Sequence, residues 1–144
     1  MDHPRFSEIT DETIVVLVDT FYDAVRADER LAPVFNGMIA ADAWPAHLER
    51  MYAFWSSVML TSGRYKGNPV AVHRQVSGID PSLFPHWLDL FEATADRLFV
   101  AALADEFAVR AARIAESLRL ALFFRPSEPW PDDLRNRPRP ARCA

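Results

Sequence analysis

One histidine, on a short predicted helix, is well suited by its surroundings to bind a flat, apolar cofactor. It lies in the stretch YKGNPVAVHRQV (65–76), where Asn68 is a candidate N-cap and Pro69 suits the first helical position. His73 follows with a valine three residues to either side, so one helix face presents an imidazole between aliphatic side chains. Taken alone, such a histidine is more often a hydrogen-bonded core or surface residue than an axial ligand.

Three other side chains on predicted apolar helices could do polar chemistry. Tyr22 lies on the apolar stripe of the first helix, so its hydroxyl enters an apolar interior and must find a partner there. His47 heads an aromatic stripe, a position that fits either a histidine reaching over a pocket or a solvent-exposed cap-region residue. Trp55, further along that stripe, and Trp87 on a later helix each fit a core position.

Two cations and a phenol immediately precede the His73 helix. Arg64, Tyr65 and Lys66 stand between Gly63 and Gly67, in a segment that the glycines keep out of regular structure. These three side chains could bind the carboxylates of a ligand. Exposed charges in loops are usually only solvated, so both readings stay open.

The periodicity of the chain predicts an all-α fold. Apolar residues recur at helical spacing, and no segment alternates apolar and polar residues between turn signals as a half-buried strand would. The first predicted helix is capped by Thr10 and frays near Asp28, and a short connection then runs through Leu31, Pro33 and Phe35 to Gly37. Four further helices are predicted to begin near Pro45, Pro69, Pro85 and Asp105, and the last of them to end at Pro126.

Length and composition limit the classes of protein to consider. The chain has 144 residues, half of them hydrophobic, which is enough for one domain with a single core. The net charge of -4 argues against nucleic acid as a partner, and the absence of a long apolar run argues against a membrane span or signal peptide. Cys143 is the single cysteine, so no intramolecular disulfide can form and a cytoplasmic location fits.

The last part of the chain differs in composition from the rest. From Pro126 to Ala144 the sequence is rich in proline and arginine and has little to bury, which predicts a disordered or surface-draped tail. Trp130 is the residue that could anchor this tail to the body or to a partner. The expected division is therefore a domain over 1–125 and a tail over 126–144.

Four segments together resemble the truncated haemoglobins, specifically group III of that family. The segments are FYDAVRADERLAPVF (21–35), HLERMYAFWSSVML (47–60), YKGNPVAVH (65–73) and FPHWLDLF (84–91). The resemblance spans roughly residues 8 to 124, and the glycines are never adjacent, unlike the Gly-Gly pairs typical of groups I and II. It implies a two-over-two helical sandwich that encloses haem b.

The resemblance also implies a role for each matching side chain. His73 would be the proximal iron ligand, and the polar residues of the distal side would be Tyr22, His47 and Trp87. Phe35 would pack on the haem and Trp55 would support its pocket from behind. Met51 and Phe54 would contact the haem and keep water away from its distal side. Arg64, Tyr65 and Lys66 would contact the haem propionates, and Tyr65 and Lys66 are preferred over Arg64 for this role.

The function implied is that of a haem protein that binds dioxygen, nitric oxide, carbon monoxide or peroxide. Dioxygen becomes negatively polarised when ferrous haem binds it, and both Tyr22 and Trp87 could donate a hydrogen bond to it. Several donors would hold the ligand too long for simple oxygen transport. Redox chemistry of the nitric oxide dioxygenase or peroxidase kind, supported by an unidentified reductase, is therefore favoured. The alternatives are a haem-based gas sensor or partner-binding module, and a helical interaction protein without haem.

Overall fold

The described part of the computed structural model, residues 4–76 and 78–139, is built of helices. Within these ranges no strand forms, and the single bridge of β type joins Phe6 to Phe99. The six α-helices are α1 (Asp11–Ala27), α2 (Ala32–Met38), α3 (Trp44–Leu60), α4 (Pro69–Arg74), α5 (Leu83–Leu98) and α6 (Ala101–Phe123), and single 3-10 turns cover Ala41–Ala43 and Leu134–Asn136.

Side-chain caps define the starts of α1 and α4, as predicted. The hydroxyl of Thr10 accepts from the backbone N–H of Thr13, and the Thr13 hydroxyl accepts in return from the backbone N–H of Thr10. Asp11 and Glu12 occupy the first turn, where a carboxylate interacts favourably with the helix dipole. Helix α1 then ends immediately before Asp28, which confirms the predicted boundary.

Three other boundaries differ from the prediction. The segment expected to be a plain connection forms α2, and α5 begins at Leu83 rather than near Pro85. Pro85 is tolerated because the N–H groups of a first helical turn have no acceptor within the helix. Helix α6 begins at Ala101 rather than at Asp105, because the carbonyl of Val100 accepts the N–H groups of residues 103 and 104 and thereby starts the helix through the backbone alone.

Two helix pairs stack on each other to form the core. Helix α1 packs on α3, α5 packs on α6, and α1 also contacts α5, which joins the two layers into a two-over-two sandwich. Phe21 of α1, Phe91 of α5 and Phe107 of α6 meet between the layers, and each is at most 2 % exposed. Burying a side chain of this size stabilises the fold by roughly 1.5–3 kcal/mol.

Residues 126–139 lie along the surface of α5 and α6. Of the two predicted states of the tail, disordered or draped over the surface, the described part therefore adopts the second. The expectation that this segment buries little is wrong for Leu134, which is 4 % exposed and belongs to the core cluster. The reason is that the 3-10 turn at Leu134–Asn136 directs one apolar side chain inward while the charged neighbours stay outside. Cys143 lies outside the described residues. No helix in the described ranges is long and apolar enough to span a membrane.

Candidate functional site

His73 is held on α4 by the local chemistry that the sequence predicted. Asn68 caps the helix by accepting from the N–H of Ala71 at 3.1 Å, and Pro69 follows as the first helical residue. The Nδ1 atom of His73 lies 2.7 Å from the carbonyl oxygen of Pro69, one turn earlier on the same helix. This contact orients the half-buried ring.

The contact with Pro69 also determines which nitrogen of His73 can act as a ligand. A carbonyl oxygen only accepts hydrogen bonds, so the neutral imidazole must carry its proton on Nδ1 and donate it there. The lone pair of Nε2 then stays available at the outer end of the ring. Histidine ligands to metals are typically oriented through their second nitrogen in this way.

His47 on α3 lies against two aromatic residues and is held neutral. Its ring makes edge contacts with Tyr22 at 5.1 Å and with Trp44 at 5.4 Å between ring centres. Burial, the largest cause, and the nearby positive charge of Arg50 lower the pKa of His47 to about 4. Its Nε2 atom is buried and has no hydrogen-bond partner within the part of the chain that the structure describes.

Tyr22 presents a second polar group in the same place. Its side chain is 6 % exposed, and its ring contacts Phe35, Trp44 and His47. Burial raises the pKa of the Tyr22 hydroxyl above its usual value, so that the group keeps its proton and can donate a hydrogen bond. Among the described residues no protein atom accepts that hydrogen bond.

Trp87 is connected to Tyr22 through Phe21. The ring of Phe21 meets Tyr22 at 5.0 Å and Trp87 at 5.5 Å, both in edge geometry. On its other side, Trp87 stacks nearly parallel on Phe91 at 5.4 Å, and Trp55 stacks on Phe91 at 4.9 Å. The two tryptophans and Phe91 thus form one aromatic stack that supports the Trp87 indole from behind.

The apolar residues expected around a cofactor, Phe35, Met51 and Phe54, lie on α2 and α3. Phe35 contacts Tyr22, while Phe54 makes edge contacts with Trp55 at 5.5 Å and with Tyr65 at 5.2 Å. Met51 is half-buried on the same helix as Phe54 and packs against the core. Contact of each of them with a cofactor stays a prediction.

The three residues before α4 have different surroundings. The Tyr65 ring packs on Phe54, and its backbone N–H donates to the hydroxyl of Ser57 at 2.9 Å. Lys66 is exposed, and Arg64 forms an exposed ion pair with Asp11 at 2.9 Å. The binding of propionates by these three residues stays a prediction.

Two features of the site were not anticipated from the sequence. Trp44 is 2 % exposed and fills the corner between Tyr22 and His47, and the guanidinium of Arg26 covers its outer face at 4.5 Å. The sequence signal for Trp44 was its position as an aromatic residue directly before Pro45, at the start of a predicted helix. His86, by contrast, pairs with Asp28 at 2.9 Å and takes no part in this site.

Comparisons with known proteins identify the relatives of this arrangement. No family model matches the chain. A group 3 truncated haemoglobin from Campylobacter jejuni is 30% identical over 121 residues, which cover 83% of this chain and 95% of that protein. A crystal structure of group III truncated haemoglobin from the same organism superposes with a TM-score of 0.79 at 30% identity and covers 83% of this chain and 96% of that chain. The chain therefore belongs to the group III truncated haemoglobin family.

Proposed function

We propose that the chain binds haem b next to α4, and that Nε2 of His73 would hold its iron. The observation that carries this proposal is the 2.7 Å contact between Nδ1 of His73 and the Pro69 carbonyl, which leaves Nε2 unprotonated and free. When bound, haem would supply an iron that reversibly coordinates small diatomic molecules. The rest of the chemistry falls to the protein side chains.

We propose that Tyr22 and Trp87 donate hydrogen bonds to dioxygen in this pocket. The Tyr22 hydroxyl keeps its proton because burial raises its pKa, and an indole N–H is always a donor. Neither residue has a protein acceptor within the described ranges, so an incoming polar ligand would be their first partner. Nearby apolar side chains, Met51 and Phe54, would exclude water and strengthen these bonds.

His47 would act as a gate for ligand entry and as a third donor. Because its pKa is lowered to about 4, the ring is neutral near pH 7 and carries a proton on only one nitrogen. Its position against Trp44 and Tyr22 places it beside the distal donors rather than on α4. A rotation of this ring would open a path past Tyr22.

The number of donors favours redox chemistry over transport. A hydrogen bond to a charged group contributes roughly 1.5–3 kcal/mol, and each 1.4 kcal/mol slows release about tenfold. Two or three such donors would retain dioxygen too long for delivery but long enough to react with nitric oxide. We therefore propose reactions of dioxygen, nitric oxide or peroxide, with electrons from a separate reductase.

Reconstitution with haem tests the proposal directly. The purified chain should take up one haem and show a Soret band, and the oxygenated protein should then consume nitric oxide or peroxide in a rapid-mixing experiment. A His73→Ala variant, prepared identically, should lose the parent spectrum. Absence of a Soret band in the parent after reconstitution would contradict haem binding, and a stable oxygenated form inert to both reactants would contradict the redox role.

A further inference from the structure

The carboxylate of Glu92 is buried in α5, and its cationic partners come from the tail. Glu92 is 2 % exposed. Arg137 donates to its Oε1 atom at 2.9 Å, and the Nη1 atom of Arg139 lies 3.3 Å from its Oε2 atom. Residues 130–139, called the strap below, therefore supply the positive charges that compensate this buried negative charge.

The two arginines also bind carboxylates on both sides of Glu92. Arg137 pairs with Asp89, three residues before Glu92 on α5. Arg139 donates to Asp96, four residues after Glu92, at 2.8 Å and to Asp105 on α6 at 3.2 Å. The pairs thus span about two turns of α5 and join that helix to α6.

A second buried carboxylate fastens the first part of the strap. Glu116 on α6 is 2 % exposed and accepts from Arg119 at 2.6 Å on its own helix. It also accepts from the indole N–H of Trp130 at 3.1 Å and from the backbone N–H of Leu134 at 3.2 Å. The strap thus supplies two of the hydrogen bonds to this carboxylate, while its cationic partner Arg119 comes from α6 itself.

The link to the distal site runs through Phe91. Glu92 directly follows Phe91 on α5, and the ring of Phe91 is the surface on which the Trp87 indole stacks at 5.4 Å. A shift or rotation of α5 that released Glu92 would therefore also move Trp87. Tyr22 lies on α1 and has no contact with the strap among the described residues.

We propose that Arg137 and Arg139 are positioning residues for the distal site. They bind Glu92, hold α5 in register on α6, and thereby set the position of the Trp87 indole. The tail is then a required part of the globin domain rather than an appendage. The consequence for ligand retention rests on the function proposed above for Trp87, whereas the effect on α5 does not.

Hydrogen exchange of the α5 amides in the full-length holoprotein tests the structural part. An Arg137→Ala/Arg139→Ala variant should exchange its α5 amides at least ~10-fold faster than the parent, whereas amides of α1 should change little. The control is Arg135→Ala, because Arg135 sits in the same strap but pairs with the exposed Asp133. Exchange of α5 within about twofold of the parent in the double variant would overturn the proposal.

Replacing Glu92 by a neutral residue distinguishes loss of the arginine–Glu92 pairs from general destabilisation of the fold. Glu92→Gln takes away the buried charge, so loss of Arg137 should accelerate α5 exchange much less in that background than in the parent. Arg137→Lys should restore part of the protection, since a cation remains within reach. Equal acceleration with and without the Glu92 charge would show that the arginines do not act through Glu92.

Two readouts of Trp87 complete the test. The indole N–H resonance of Trp87, assigned by its loss in Trp87→Phe, should shift or broaden in the double arginine variant but not in Arg135→Ala. Dioxygen dissociation should become several-fold faster in the double variant than in the parent, with carbon monoxide dissociation changed less. An unmoved Trp87 resonance would overturn the positioning role. A different outcome would refute the proposed donor function of Trp87 but leave the positioning role intact. In that outcome the Trp87 resonance moves in the double arginine variant, while dioxygen dissociates at the parent rate from both that variant and Trp87→Phe.

Discussion

The ring of Tyr65 lies over the Cα atom of Gly67, in the loop that leads into α4. A Cβ atom added to Gly67 would come within 2.6 Å of Cζ and 3.1 Å of Cε1 of that ring, which is closer than such atoms pack. Gly67 has no positive φ, so glycine is needed here for space rather than for backbone conformation. The absence of a side chain at residue 67 lets the Tyr65 ring lie flat on the loop and contact Phe54.

Replacing Gly67 by alanine should therefore displace Tyr65. If the Tyr65 hydroxyl binds a haem propionate, loss of that hydrogen bond, worth about 1 kcal/mol, should speed haem loss by roughly fivefold. Transfer of haem to an excess of apomyoglobin measures this rate. The matched control is Gly37→Ala, because a Cβ on Gly37 meets nothing within 4 Å. Equal haem loss in parent and Gly67→Ala would contradict a haem contact of Tyr65.

Removal of the His73 imidazole should abolish the proposed bond between His73 and the haem iron. His73→Gly should lose the parent ferrous spectrum and release haem faster, because the chain would have no equivalent nitrogen on α4. Free imidazole at millimolar concentration should restore the spectrum in this variant, since it can enter the space that the side chain leaves. His86→Ala is the control, because His86 pairs with Asp28 and should not affect the iron. A normal ferrous spectrum in His73→Gly would refute the proximal assignment.

Features specified by local chemistry could be predicted from the sequence. Asn68 followed by Pro69 predicts the start of α4, and Thr10 predicts the start of α1, because in each case a side chain accepts a hydrogen bond from the first helical turn. The start of α6 could not be predicted in the same way. Val100 begins that helix with its backbone carbonyl, and a backbone cap leaves no mark in the residue types.

Contacts between distant segments were harder to infer. Arg137 and Glu92 are 45 residues apart, so no spacing rule connects the tail arginines with α5. The contact of Trp87 with Phe21, the neighbour of Tyr22, likewise depends on how α1 packs on α5. The resemblance to a family implied the roles of both distal residues. Only the packed structure shows that Tyr22 and Trp87 both contact Phe21.

The lowered pKa of His47 predicts a pH dependence of stability. Folding disfavours the charged ring and lowers the pKa of His47 from 6.5 to about 4. Between these two pH values His47 is therefore protonated in the unfolded chain but neutral in the folded chain. Stability should therefore fall as the pH drops from about 6.5 to about 4. His47→Gln removes this contribution, so the melting temperature of the variant should fall less steeply over that window. Above pH 7.5 the difference between the two proteins should be constant. Parallel curves throughout would show that His47 titrates normally in the folded protein.

The distal donors can be distinguished from packing residues by comparing two ligands. Each donor should contribute roughly 1.5–3 kcal/mol to the retention of dioxygen, because bound dioxygen carries partial negative charge. Tyr22→Phe or Trp87→Phe should thus speed dioxygen dissociation about ten- to hundredfold. Bound carbon monoxide carries much less charge, so its dissociation should change far less. If the variants acted by loosening the contacts with Phe21, both ligands would leave faster to a similar extent.

The double variant Tyr22→Phe/Trp87→Phe is needed because His47 can compensate for a single loss. The His47 ring lies 5.1 Å from that of Tyr22, and its Nε2 atom has no partner in the described part of the chain. Stopped-flow displacement of dioxygen by carbon monoxide should show the double variant releasing dioxygen faster than either single one. Adding His47→Gln to the double variant should give a further increase if the histidine had replaced the lost donor. If dioxygen dissociation in the double variant stays within about twofold of the parent, a difference of only ~0.4 kcal/mol, the polar distal site is wrong. Tyr22 and Trp87 would then contribute to the core alone.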